Sequence, residues 1–498
     1  MQSSTLPYRC FALLAAVLIA GPPLAAQSDA AGRIDRLLDA PPFDRAGWGV
    51  ILMDADGREI YARNADRLFV PASNNKLVVT AAASVLLPPD YHAVTSVYGT
   101  GPLTGGVLDG DLVIYGRGDP TFSERCYGAD TLAAGACDSL WTRMDLLADR
   151  IVAGGVRHVA GSIVGDGSHF DADLVHQAWE RYDVNWWYAA PVSGLGFNDN
   201  SVNVTWAPGP AVHAPAVVTF EPDLGIFRFE NRTRTVPAGE RRTIDFFRLP
   251  GTMDIWAEGT VPINYGERTE YFALPDPSFY FASALRVALA KRGVSIAGPT
   301  VSTTDSLSYA LARQSAPLVE FDSRSLADMI YPILNSSQNW FAEMLLKTVG
   351  RQVEGTGSWR AGLAAERRFL IDSVGIDSTA FALSDGSGLS SGNLITPRAF
   401  AQLLAYMLRQ PNGAGFMHAM PRSGERGSLR NRFVDTPLEG RVLAKTGSIF
   451  RVQTLTGYIE RPGRTPLIFS VMANSYVGRY SAMMGVIDAV VVEMGRGR

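Results

Sequence analysis

The chain has 498 residues, 47% of them hydrophobic and 19% charged. That composition excludes collagen-like, disordered and multi-span membrane classes, and the length implies two or three domains. The net charge is −4, from 45 basic and 49 acidic residues with no block of one sign, so no nucleic-acid partner is expected. Only four residues are lysine (Lys76, Lys291, Lys347, Lys445). Chemistry that needs a deprotonated amine, which arginine cannot supply, therefore rests on those four.

In chain order, Arg9, the apolar run 11–20, the break Gly21-Pro22-Pro23 and small residues through Ala30 predict a secretory leader over residues 1–26. Cleavage is expected between Ala26 and Ala30. Ten apolar residues are too few to span a bilayer, so no stable transmembrane anchor is expected. Beyond the leader two cysteines remain, Cys126 and Cys137. They predict one disulfide, the alternative being two free thiols. The histidines show no metallopeptidase spacing, and no metal is expected.

Two apolar runs around Asp54-Ala-Asp-Gly57 predict a hairpin over 48–62. An apolar, alanine-rich helix follows over 76–87. Residues 93–125 predict short strands between glycines, 139–157 a helix, 158–165 a strand, and 201–304 a strand-rich stretch. Helical patterns return over 326–334, 338–349, 359–374 and 397–408. Strands are expected at 441–445, 452–460 and 465–474, and a closing helix at 480–493. The two ends thus read as one α/β (α+β) body, 32–100 plus 312–498, around an inserted β-rich region, 101–311, of one or two small domains.

Three motifs carry chemistry. In Ser73-Asn-Asn-Lys76 the serine and lysine lie one turn apart on one helical face. Free backbone N–H groups and the positive helix end nearby favour an oxyanion and a lysine that loses its proton easily, and an amine of lowered pKa is a usable general base. Ser337-Gln-Asn339 opens a helix, where a hydroxyl relays a proton and an amide orients a carbonyl. Lys445-Thr446-Gly447-Ser448 ends a strand, where an ammonium and hydroxyls hold a carboxylate and Gly447 admits close backbone approach. Singly, each is also a helix cap or a tight turn. Together and in this order they are the signature set of β-lactamases and penicillin-binding proteins.

The chain resembles the class C low-molecular-mass penicillin-binding proteins, the serine D-alanyl-D-alanine carboxypeptidase/endopeptidase family. Further support comes from Asn335-Ser-Ser-Gln-Asn-Trp-Phe-Ala-Glu343 and Asp385-Gly-Ser-Gly-Leu-Ser390. Ser337 follows Ser73 by 264 residues (337 − 73). The family carries β-rich insertions there, and compact β-lactamases do not. The resemblance implies an acyl-enzyme on Ser73, Lys76 as base and Ser337 with Lys445 as the route to the leaving amine. It also implies Asn339 on the substrate amide, Thr446 and Ser448 on the terminal carboxylate, and no cofactor. The implied partners are peptidoglycan stem peptides, with β-lactams as covalent inhibitors, and the implied location is the periplasm. Asp166 matches a position that reads the substrate side chain in relatives.

Ser391 and Phe450 stand where relatives carry arginine or a polar residue. Rival readings are a β-lactamase, a non-enzymatic peptidoglycan-binding scaffold and, from Gly388-Leu-Ser390-Ser-Gly392, an esterase elbow. The last lacks the required preceding strand. The aromatic cluster Trp179, Tyr182, Trp186, Trp187 and Tyr188 is expected in packing rather than in a groove.

Overall fold

The computed structural model describes residues 24–125, 127 and 137–496. The expected leader over residues 1–26 falls almost wholly outside them. Residues of both chain ends pair in one five-stranded antiparallel sheet, in the order Glu59–Arg63, Gly47–Met53, Arg464–Asn474, Val452–Arg461, Val442–Ile449. The strand Gly47–Met53 reads as a continuous apolar run because both of its faces are covered. Trp48, Val50 and Leu52 pack with Ile34, Leu38, Ile487 and Val491 of the two terminal helices, Leu24–Leu38 and Tyr480–Gly495. Ile51 and Met53, on the other face, join the core of the internal helices. That alternation is the two-residue period of a strand.

The internal helices are Lys76–Leu86, Leu326–Asn335, Asn339–Glu354, Trp359–Arg368 and Pro397–Leu408, close to the expected spans. Asn339–Glu354 is buried along most of its length and ends at Gly355, whose φ of 76° suits the left-handed C-terminal cap. Among the described residues no helix is long and apolar enough to cross a membrane.

The inserted part is built on a second five-stranded sheet, ordered Thr300–Thr303, Ile163–Asp166, Leu112–Tyr115, Val94–Gly99, Val319–Asp322. Two of these strands, Val94–Gly99 and Val319–Asp322, lie outside the expected insertion of 101–311. Periodicity marks a strand but not the sheet it joins. Two three-stranded sheets come from 201–273. The strand-rich reading of 201–304 misses one element, the helix Pro277–Ala290. It is apolar nearly all round and packs deep in the second core, so it shows no amphipathic stripe. Its one local signal is the start: the Asp276 side chain accepts from Phe279 N at 2.9 Å, and Pro277 occupies the first turn.

Cys137 is disulfide-bonded, and its expected partner Cys126 lies outside the described residues. From the insertion, the segment around 174–192 returns over the internal helices. Trp179 joins their core and its Nε1 donates to Asp385 Oδ2 at 3.0 Å. Trp340 Nε1 donates to Pro191 O at 3.0 Å. Of the aromatic cluster, Trp179, Trp186 and Tyr188 take the expected packing role, whereas Tyr182 is exposed.

Candidate active site

Ser73 sits in a 3-10 turn, Ala72–Asn75, that runs directly into the helix starting at Lys76. Ala72 takes a left-handed φ of 47°. Gly388 lies against its carbonyl so closely that a Cβ there would sit 1.9 Å from Ala72 O. The turn thus needs a glycine from a loop more than 300 residues away in sequence. Ser73 keeps part of its surface open, while Lys76 behind it is 0% exposed.

Lys76 Nζ lies 2.8 Å from Ser73 Oγ, 2.6 Å from Asn339 Oδ1 and 2.7 Å from Ser387 O. Two of these partners, an amide oxygen and a carbonyl, only accept. A neutral amine has two N–H donors and one lone pair. With both donors directed to Asn339 and Ser387, the lone pair is left for the Ser73 hydroxyl. Burial lowers the amine to about 7, against the opposing pull of the Glu343 and Asp385 carboxylates.

Lys445 is the second buried amine. Its Nζ donates to Ser337 Oγ at 2.8 Å and to Thr446 O at 2.9 Å. Burial, then the neighbouring Lys76, hold it well below the usual lysine range. Ser337, at a left-handed φ of 65°, thus stands next to an amine of its own. Residues of the three motifs thus form two hydrogen-bonded groups, Lys76 with Ser73, Asn339 and Ser387, and Lys445 with Ser337, and the charge of Lys76 is felt at Lys445.

The strand Val442–Ile449 is the edge of its sheet. Ala444 N donates outward to Pro421 O at 3.2 Å. A period of two carries the N–H of Thr446 and Ser448 to the same outer side, where an extended ligand can pair. Gly447 is required within the protein itself. A Cβ there would sit 2.1 Å from Thr454 Oγ1 on the neighbouring strand and 2.6 Å from Pro71 O beside the Ser73 turn. Thr446 Oγ1 donates to Ser428 Oγ at 3.0 Å, and Gln453 Nε2 donates to Ser448 Oγ at 2.7 Å.

Two expectations change. Asn339, expected on a substrate amide, already holds Lys76 with its oxygen and donates from Nδ2 to Tyr188 O at 2.7 Å. Asp166 does not join the cluster. It is 0% exposed at the end of its strand, ion-paired with Arg313, and accepts from Ser168 N at 3.0 Å. The Gly-x-Ser-x-Gly stretch is a loop whose Ser390 is buried and whose Oγ accepts from Gly392 N at 3.1 Å, so no esterase elbow exists. Ser391 is exposed, and Phe450 is 85% exposed at the tip of the hairpin after Ser448.

Local sequence points to no site role for Ser387, Ser428, Glu343 or Asp385, and to packing alone for Tyr188. Glu343, Asp385 and Ser387 lie inside Asn335–Glu343 and Asp385–Ser390, which was the available signal. Among the described residues, no cluster of His, Cys, Asp and Glu is arranged to hold a metal.

The chain is similar to known proteins along most of its length. A D-alanyl-D-alanine carboxypeptidase of Actinomadura sp. is 31% identical over 474 residues, covering 93% of this chain and 83% of its own. The D-alanyl-D-alanine carboxypeptidase DacB of Haemophilus influenzae is 22% identical over 436 residues, covering 86% and 85%. The crystal structure of penicillin binding protein 4 from H. influenzae superposes with a TM-score of 0.78 at 21% identity, covering 93% of this chain and 97% of that one. The same protein complexed with a β-lactam superposes at 0.72 and 20% identity, covering 93% and 98%. Residues 30–492 match the D-Ala-D-Ala carboxypeptidase 3 (S13) family, and the chain belongs to that family.

Proposed function

We propose that this protein is a serine D,D-peptidase of peptidoglycan, removing terminal D-alanine from stem peptides and also opening cross-links that end on a D-alanyl carbonyl. The observation that carries the reading is the environment of Lys76: a buried amine near 7, its donors taken by Asn339 and Ser387, its lone pair facing Ser73.

In the forward step Lys76 accepts the Ser73 hydroxyl proton as Oγ attacks the carbonyl between two D-alanines. The resulting oxyanion is met by the backbone N–H groups of Ser73 and Ser448. The proton then passes through Ser337, held by Lys445, to the leaving amine. The C–N bond breaks and the acyl group stays on Ser73 Oγ. Thr446 and Ser448 hydroxyls hold the terminal carboxylate at the strand edge. Asn339 keeps Lys76 in place, and its second amide hydrogen is available to the substrate carbonyl. Water then attacks the ester, with Lys76 taking its proton and Ser73 regaining a hydroxyl. A β-lactam acylates the same oxygen, but its leaving group remains tethered, so deacylation is slow. Export to the periplasm, by the leader read in residues 1–26, places the enzyme at this substrate.

The test is labelling with a fluorescent penicillin and turnover of a D-Ala-D-Ala peptide. The wild type is expected to be marked at Ser73 and to release D-alanine, and Ser73→Ala to do neither. Binding of peptidoglycan without turnover would instead identify a scaffold.

A further inference from the structure

Behind the reactive lysine lies a buried group that the steps above do not use. Glu343 is on the same helical face as Asn339, one turn further on, and is 0% exposed. Its carboxylate accepts from Ser387 N at 2.7 Å, Gly386 N at 3.1 Å and Trp359 Nε1 at 2.8 Å. Ser387 is thus held at both ends: its N–H on Glu343 and its carbonyl on Lys76 Nζ, also at 2.7 Å. Asp385 braces the same loop, accepting from Gly388 N, Ser390 N and Asn393 Nδ2 at 2.7–2.8 Å.

We propose that Glu343 is a positioning residue for Lys76: through the Ser387 loop it sets the geometry of the base, and its negative charge makes the base hold its proton to higher pH. The proposal rests on the reading of Ser73 and Lys76 given above.

The charged surroundings allow this. Glu343 faces Asp385 of the loop, Glu366 of the helix Trp359–Arg368, Lys76 of the nucleophile helix and Lys347 on its own helix. His176 lies against Asp385, and Lys445 against Lys76. Neither carboxyl oxygen of Glu366 has a hydrogen-bond partner. Burial, then Glu343 and Asp385, push Glu366 well above the carboxylate range. Lys347 is drawn off to Asp171 at 2.7 Å. Burial and Asp385 lift Glu343 to about 7, into the range in which Lys76 titrates. Around neutral pH, charge on Glu343 is therefore felt by Lys76 across one residue of backbone.

The experiment measures the second-order rate of acylation by a penicillin from pH 5 to 9. In Glu343→Gln the acid limb is expected to move to lower pH by about one unit, the low end of what an opposite charge does at close range. The plateau is expected to fall as well, because one amide oxygen cannot serve three donors. Glu366→Gln, whose side chain makes no hydrogen bond to the Ser387 loop or to Lys76, leaves the limb in place. Trp359→Phe keeps the carboxylate but removes one donor, and moves the limb the same way by less. That variant decides the matter should Glu343→Gln not fold. A lowered plateau with an unmoved limb in both Glu343→Gln and Trp359→Phe, or a limb moved upward, would overturn the proposal. A wild type not acylated at Ser73 would instead defeat the underlying reading.

Discussion

The pH dependence of acylation follows from the state of one amine. Lys76 near 7 is protonated below that pH, and its lone pair is then unavailable to Ser73. Rate follows the free-amine fraction, about one tenth at pH 6, one half at pH 7 and nine tenths at pH 8. Acylation should therefore rise about tenfold from pH 6 to 8 and level off above. A lysine at its ordinary value of 10.5 would give a rise of about a hundredfold over the same interval and no levelling until beyond pH 10. The assay is stopped-flow or gel-based labelling with a penicillin whose own carboxylate does not titrate in this range. Lys76→Arg keeps the positive charge without a usable base, and should lose about 10²–10⁴-fold at every pH. A flat profile, a rise that continues past pH 9, or near-normal acylation in a folded Lys76→Arg protein would refute the assignment of Lys76 as base.

Three further outcomes are expected. Gly447→Ala drives a methyl into Thr454 and Pro71 and separates the strand edge from the Ser73 turn. Labelling should slow by about a hundredfold and stability should fall by about 1–3 kcal/mol, read by labelling rate and thermal unfolding; unchanged labelling would contradict the close-approach argument. Asp166→Asn breaks a buried ion pair with Arg313, so stability should drop by about 3 kcal/mol with kcat/KM for stem peptides changed no more than penicillin acylation. A selective rise in KM for peptides with a side-chain ammonium would restore Asp166 to substrate recognition. Ser391→Arg adds a cation at an exposed position where the wild type has only a hydroxyl. It should raise preference for free over amidated side-chain carboxylates, measured as the ratio of kcat/KM for the two peptides. Strong wild-type preference left unchanged by the substitution would place the selective residues elsewhere.

The chemistry was legible in the sequence because each motif is local. One helical turn brings Lys76 to Ser73, one helix start presents Ser337 and Asn339, and one strand carries Lys445 to Ser448. Spacing alone sets those relations, and their order along the chain made the set specific. The strands at both ends were legible too, since an apolar run like Gly47–Met53 reports burial on two faces. Tertiary structure alone decided the partners that lie far apart in sequence. Lys76 makes its second and third hydrogen bonds to positions 263 and 311 residues away, and no local pattern encodes that the Asn339 amide oxygen meets a lysine. The same holds for the strands at 94–99 and 319–322, whose periodicity is that of any strand, and for Gly447, whose need for a missing side chain comes from Pro71 and Thr454. Asp166 gives the sharpest contrast: its neighbours in sequence suit a recognition turn, but a distant arginine, Arg313, takes its charge. Local conformation follows from residues a few positions apart, whereas the protonation and pairing of a buried charge depend on whatever the fold packs against it.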